Sequence, residues 1–361
     1  MHNKKLSHLF GYFLIITVPL GCHNKTKVQD SSVSQTGLSE DQRPASSPCL
    51  QLAMGEMPSL LSATGCVEPK APANAAPGLI PYEINAPLWS DGADKERYFA
   101  IPADASILAD AGGGWEMPPG SVTMKIFRIG GKPVETRIYR RALDGRWSGF
   151  SYEWRDDGSD AALLKSGKEK LVGDQPWVIP SPKECDVCHN KAAGVSLGLS
   201  EAQLARQLLY PGRTVPLDQP SFLRSIGVLK NRDQGQMLDT GVRLVDYTDS
   251  RQTIDARARS YLHGNCAYCH QPKGGGIGDF DLRISRSFQE MHVCNSPVVT
   301  SNGPNETVVL APLQIGKSQL YLRMKDLGEY HMPPRVSRRL DEQGIQLIRD
   351  WILIRDHCEE P

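Results

Sequence analysis

The sequence predicts a multidomain chain, an N-terminal all-β, sandwich-like module followed by two mainly α domains, and three observations predict it. Short alternating apolar and polar runs with glycine turns fill residues 81 to about 171. Helix-capping signals take over after Trp177. The pentapeptide Cys-x-x-Cys-His then occurs twice, as Cys185-Asp-Val-Cys188-His189 and Cys266-Ala-Tyr-Cys269-His270. The chain has 361 residues, 40% of them apolar, enough to fill two or three cores. Lys plus Arg and Asp plus Glu balance at 41 each, so no global field draws it to nucleic acid or to an acidic membrane surface.

In chain order, residues 1–21 read as an export signal: His2, Lys4 and Lys5 make a polar, basic start, and Leu9 to Leu20 form a 12-residue apolar run. That run is too short to span a bilayer. It ends in Val18-Pro19-Leu20-Gly21-Cys22, where Gly before Cys resembles a bacterial lipobox, although Pro19 departs from the usual aliphatic residue. Cys22 is therefore the expected lipidation site and the one expected link to a membrane, with a buried or disulfide-bonded thiol as the alternative. Residues 22–48 lack apolar periodicity and are rich in Ser, Gln, Asp and Lys, as a disordered tether is.

Residues 49–175 form the expected β-rich module. Val122, Met124 and Ile126 alternate with Thr123 and Lys125, Gly130-Gly131 supplies a tight turn, and Val134 to Ile138 continue as the return strand of a hairpin. Gly149 to Trp154 is a further strand, ended by the Asp-rich turn at 156–160. Residues 176–250 form the first α domain. Ser181-Pro182 caps and starts the helix that carries Cys185 to His189, and Ser200 with Gln203 makes a capping box opening a helix from Glu201 to Leu209. Residues 251–361 form the second α domain, with a helix from about Thr253 to Asn265 leading into the second pentapeptide. Its last helix begins near Asp341, where Ile345, Ile348 and Ile352 recur at helical spacing beside Trp351.

Cys-x-x-Cys-His is the local signature of covalent c-type haem attachment, so the chain is expected to carry two such haems. The thiols of Cys185 and Cys188, and of Cys266 and Cys269, would add across the haem vinyl groups, with His189 and His270 as proximal iron ligands. A zinc site is the bland alternative. Zinc ribbons separate their Cys pairs by a short loop, whereas 77 residues lie between Cys188 and Cys266. Nothing around either motif suggests a thioredoxin-like dithiol.

In the second domain the order helix, pentapeptide, Met332-Pro333-Pro334 and closing helix is that of a class I cytochrome c. Met332 lies 62 residues after His270 and is the expected sixth ligand, with His331 as its neighbouring competitor. The first domain has no Met-Pro loop. Met237, 48 residues after His189, is the first choice there, against His263, His292 or an open iron. The remaining Cys49, Cys66, Cys294 and Cys358 allow three pairings. Cys49 with Cys66 and Cys294 with Cys358 is favoured, since each pair falls within one expected domain, and free buried thiols are the alternative.

Several longer strings carry a resemblance: Leu61-Ser-Ala-Thr-Gly65, Pro81 to Lys95, Glu135-Thr-Arg137, Ser151-Tyr-Glu-Trp154, Arg257 to His270, and Met332-Pro-Pro334. Over about residues 58–355 the chain resembles a family of exported bacterial dihaem c-type cytochromes. The resemblance implies a β-rich N-terminal module fused to two mainly α cytochrome c-type haem domains. It implies haem roles for Cys185, Cys188, His189, Cys266, Cys269 and His270, and Met332 as ligand. It leaves open the first haem's distal ligand and the partner.

The expected function is single-electron transfer on the periplasmic side of a bacterial membrane, as carrier or subunit for a periplasmic redox protein or dehydrogenase. The runner-up is a dihaem peroxidase or oxidase with one exchangeable iron. A sugar-binding β module, with Trp89, Trp115, Trp147 and Trp154 as stacking platforms, is a third reading. Core filling is the commoner use of such residues.

Overall fold

Side chains alternate across a strand, so a run such as Val122-Thr-Met-Lys-Ile-Phe presents one apolar and one mixed face. That alternation organises the β-rich half of the chain. The computed structural model describes residues 42–232, 241–299, 307–334 and 337–359. The expected export signal, Cys22 and Met237 lie outside the described residues.

The architecture is mixed α/β, with a β-rich N-terminal half and a helical C-terminal part. The strands are β1 (Val67–Glu68), β2 (Ala71–Ala75), β3 (Ile80–Pro81), β4 (Asp94–Ala100), β5 (Ile107–Ala109), β6 (Trp115–Glu116), β7 (Val122–Ile129) and β8 (Lys132–Arg141). They continue with β9 (Trp147–Trp154), β10 (Ala161–Leu163), β11 (Lys168–Val172), β12 (Gln175–Ile179), β13 (Gln207–Leu208), β14 (Leu217–Asp218) and β15 (Leu229–Asn231). The α-helices are α1 (Pro182–Cys188), α2 (Glu201–Leu204), α3 (Gln219–Ser225), α4 (Ile254–Asn265), α5 (Gln319–Met324) and α6 (Glu342–Leu353).

The main sheet has six antiparallel strands in the order β10-β9-β8-β7-β4-β3. On one face Val122, Met124, Ile126, Ile138, Tyr152 and Trp154 pack with Leu52, Leu61 and the Cys49–Cys66 disulfide. On the other face the register aligns Arg97 with Lys125 and Lys125 with Arg137, and Thr123 with Tyr139 and Tyr139 with Gly149. The N-terminal turn of α1 is closed by a capping box in which Ser181 Oγ accepts from Glu184 N–H and the Glu184 carboxylate accepts from Ser181 N–H. The helix lies over β9 because residue 149 is glycine: a Cβ there would sit 2.9 Å from the Tyr139 ring and 3.0 Å from Cys185 Cβ.

The stretch expected as the first α domain supplies strands as well as helices. β15 runs parallel to β5 in a three-stranded sheet, and Leu204, Tyr210, Phe222 and Leu223 share a core with Ile80, Phe99 and Trp115. The helix expected over Glu201–Leu209 ends at Leu204, and Gln207–Leu208 instead pairs with Leu217–Asp218. Ser200 caps it as expected, but the Gln203 side chain is committed to Ala86, accepting from its N–H at 2.9 Å and donating to its carbonyl at 3.1 Å. A tertiary contact has taken over the second half of the capping box.

In the helical part, Thr253 caps α4 and Asp341 caps α6, both at the expected positions. The helices pack through Tyr261, Leu262, Ile345, Ile348, Trp351 and Ile352. Gly344 permits the close approach, since a Cβ there would meet the Tyr261 ring at 2.4 Å. Cys294 and Cys358 are bonded, so both favoured pairings form, as in an oxidising compartment. Among the described residues no helix is long and apolar enough to cross a membrane.

The Cys294–Cys358 bridge spans 64 residues and Cys49–Cys66 spans 17. Replacing each pair by serine is expected to lower the unfolding free energy by about 4 and about 3 kcal/mol respectively on the chain-entropy account. Urea unfolding of each double variant checks the values, and thiol trapping of the denatured parent should label none of these four cysteines.

Candidate functional site

Residues three and four apart share one face of a helix, which is the physical meaning of the Cys-x-x-Cys-His spacing. In the first motif Cys185 and Cys188 occupy the last turn of α1, and His189 N–H continues it by donating to Cys185 O at 2.9 Å. In the second motif Cys266 caps α4, and His270 N–H donates to Cys266 O, also at 2.9 Å. Each motif thus gathers two thiols and an imidazole on one turn of backbone.

His189 presents a free ring nitrogen. Its Nδ1 lies 2.6 Å from Val195 O, a contact that requires the proton on Nδ1 and leaves the Nε2 lone pair free. Val195 is held at φ 63°, a left-handed conformation that a β-branched residue rarely adopts, at the position whose carbonyl meets the ring. Burial, and then the Lys125 ammonium, push the imidazole pKa down to about 3, so the ring is neutral. Tyr139 packs on it with ring centroids 4.3 Å apart.

His270 stacks on Phe280, with centroids 4.5 Å apart and planes 14° from parallel. Burial lowers its pKa to about 4, and its buried Nδ1 has no hydrogen-bond partner among the described residues. His270 therefore lacks the carbonyl acceptor that holds the His189 ring, and stacking on Phe280 is what orients it. Met332 donates its N–H to Arg323 O at 3.0 Å, and the Arg323 guanidinium is the charge that adds to burial in lowering His270. Both expected axial residues of the second site therefore border Arg323. Met332, His331, Trp89 and Tyr261 line a small cavity of about 20 Å³, and the Met332–Pro333 peptide is cis.

The two motifs meet. Asn190, directly after His189, donates from Nδ2 to Tyr268 O at 3.0 Å, and the Tyr268 side chain hydrogen-bonds to Cys188. The 77 intervening residues bring the second pentapeptide back against the first. Burial raises the Cys185 and Cys188 thiols to about 11 and Cys266 to about 12. Such protonated thiols are unlike the activated thiolates of a redox dithiol. Among the described residues no three His, Cys, Asp or Glu side chains converge as a zinc site requires.

Beside the seam is a cavity of about 620 Å³, lined by Cys185, Cys188 and His189 on one side and by Ala267 and Tyr268 on the other. That is within the range of cofactor pockets. Its lining includes Lys95, Arg97, Lys125, Arg137, Arg283 and Arg286 against only two carboxylates, Asp110 and Glu184. Both are engaged, Asp110 with glycine N–H groups and Glu184 in the α1 capping box. Arg137 pairs with Glu135, and Arg283 and Arg286 with Asp281. Lys95, Arg97 and Lys125 make no ion pair among the described residues. Burial, then neighbouring cations, lower Lys125 to about 7 and push Lys95 well down. A haem brings two carboxylates, so this cationic wall suits the group that the adjacent thiols and imidazole are equipped to hold.

Of the competitors for the first site's distal position, His263 lines the cavity but its Nδ1 accepts from Ile284 N–H at 3.2 Å. Its pKa is lowered to about 4, chiefly by burial, so the neutral ring carries its proton on Nε2 and offers a donor there. His292 stands exposed on the surface, outside the cavity lining. Trp115 and Trp154 are buried in cores, the use that competed with the stacking-platform reading.

Sequence reasoning missed Lys95, Arg97, Asn190 and the bridging role of Tyr268. Lys125 was visible as one polar member of an alternating strand, but alternation assigns a face without saying what covers it. Compared with known proteins, the chain matches no protein-family model, no curated protein and no solved structure.

Lys125 generates a pH prediction for the haem-free protein. Its pKa is about 7 when folded against an ordinary 10.5. Between those values the unfolded chain holds more protons, so stability rises with pH across that window and is lost as pH falls through it. Urea midpoints are expected to climb from pH 7 to pH 9 in the parent and to climb less in Lys125→Met; equal slopes would remove the uncompensated charge.

Proposed function

We propose that this chain is a dihaem c-type cytochrome that passes single electrons between two covalently held haems, serving a periplasmic redox protein or dehydrogenase. Its expected home is the periplasmic side of a bacterial membrane, with Cys22 as lipid anchor. The observation that carries the reading is the seam between the motifs. Asn190 and Tyr268 tie the two attachment turns together, so groups bonded to Cys185 and Cys188 and to Cys266 and Cys269 would be neighbours. Close placement of two redox groups is what an internal relay needs.

Bound haem would supply reversible one-electron iron chemistry. The protein's part is attachment, ligation, charge balance and exclusion of water. His189 and His270 are neutral, as iron ligands must be, and Met332 is the soft donor expected to complete the second site. Lys95, Arg97 and Lys125 would offset the haem carboxylates, which in turn would compensate three half-buried cations whose charged forms desolvation disfavours. Packing of α4 on α6 around the second motif supports a mainly α second domain, whereas the stretch around the first motif shares its core with the β-rich half.

Spectroelectrochemical titration of the full haem-loaded chain tests the proposal. Two one-electron waves that interact, with neither ferric site responding to peroxide, are expected. A high-spin site that turns over peroxide would favour the dihaem peroxidase, and a single non-interacting wave would contradict the relay. Tyr268→Phe is expected to weaken the interaction between the waves while leaving haem content unchanged.

A further inference from the structure

The string Pro87-Leu-Trp89-Ser-Asp91 marked the resemblance but had no chemistry attached to it. In the structure it reaches both flanks of the second site. Trp89 N–H donates to Asn265 Oδ1 at 2.7 Å, and Asn265 lies five residues before His270. The Trp89 indole N–H donates to Arg339 O at 3.1 Å. Asp91 is only 1% exposed, and its Oδ1 accepts from Ser337 Oγ at 2.7 Å and from the N–H groups of Arg338 and Arg339, both at 2.9 Å. Its Oδ2 accepts from Arg338 N–H at 3.0 Å. Ser337 lies five residues after Met332.

We infer that Asp91 is a positioning residue for thioether ligation at the second haem: its carboxylate pins the chain just beyond Met332 while Trp89 pins the chain just before His270. The inference rests on reading His270 and Met332 as the axial pair. A buried carboxylate with this many donors is held by charge-assisted hydrogen bonds, stronger than neutral ones. Asp91 stands at φ 50°, and such backbone outliers cluster where geometry is under functional constraint. Pro333 and Pro334 stiffen the chain between the ligand and the pinned segment, and Met332 N–H is fixed to Arg323 O on the other side. Removing the carboxylate frees one end of the loop, and a weak thioether bond to iron is the first contact to suffer. The β-rich half would thus set the ligation of a haem bound in the helical part.

The test uses the haem-loaded full chain and the near-infrared charge-transfer band of Met-ligated ferric haem. Met332→Ala defines the share of the band due to Met332. Asp91→Ala is expected to lose at least half of that share and to let cyanide bind the second site at least tenfold faster, with parental haem content. Asp91→Asn, which keeps an acceptor oxygen, is expected to restore most of the band. If Met332→Ala abolishes the share while Asp91→Ala leaves band and cyanide rate at parental values, the clamp is overturned and the ligand reading stands. If Met332→Ala changes nothing, the ligand reading fails and takes the clamp with it. Should Asp91→Ala not accumulate, the double variant Trp89→Phe and Ser337→Ala removes two hydrogen bonds from outside the sheet; an unchanged band there overturns the proposal.

Discussion

Positive charge gathered on the cavity-facing side of the main sheet is the constraint around which the molecule is arranged. Lys95, Arg97 and Lys125 stand together, half-buried, on this face; desolvation is the largest cause lowering each pKa, and neighbouring cations add to it, Arg97 and Arg137 for Lys95 and Lys125 and Arg206 for Arg97. A chain that only needed a stable sheet would place apolar residues there, because an unpaired buried charge costs several kcal/mol. The arrangement makes sense when the cavity beside it is filled by an anionic group, and the thiols and imidazole of the first motif stand on the same cavity wall.

From this follows the division of labour between the halves. The opposite face of the sheet is an ordinary core, closed by the Cys49–Cys66 disulfide. The charged face carries α1 at the distance that Gly149 permits, and α1 carries the first motif. Asn190 and Tyr268 then join the second motif to the first, and the Trp89 to Asp91 loop joins the sheet half to the segment after Met332. Each half completes a site in the other, which is a tighter coupling than a docking module beside two cytochrome domains would require.

How much of this was legible in the sequence depended on whether the signal was local. The hairpin at Gly130-Gly131, the caps at Ser181, Thr253 and Asp341, and the two disulfide pairings rest on neighbouring residues or on simple placement, and each is found in the structure. The helix expected to run to Leu209 stops at Leu204 because Gln207–Leu208 pairs with Leu217–Asp218, and Gln203 is held by Ala86, 117 positions away, contacts that no local pattern reveals. Pairing of Leu229–Asn231 with Ile107–Ala109 is equally non-local. The two Cys-x-x-Cys-His motifs were visible as spacing. Lys95 and Lys125 as a cavity wall, and Asp91 as an anchor for the segment beyond Met332, required the sheet register and the third dimension.

The proposed relay requires two haems bonded covalently through Cys185 and Cys188 and through Cys266 and Cys269. Its most direct test is the intact mass of the mature protein after extraction with acidified acetone. Pigment that stays with the polypeptide, with the mass of two haems added per chain, is the predicted result. A colourless chain, or one whose pigment leaves into the acetone, would rule out covalent haem at these cysteines.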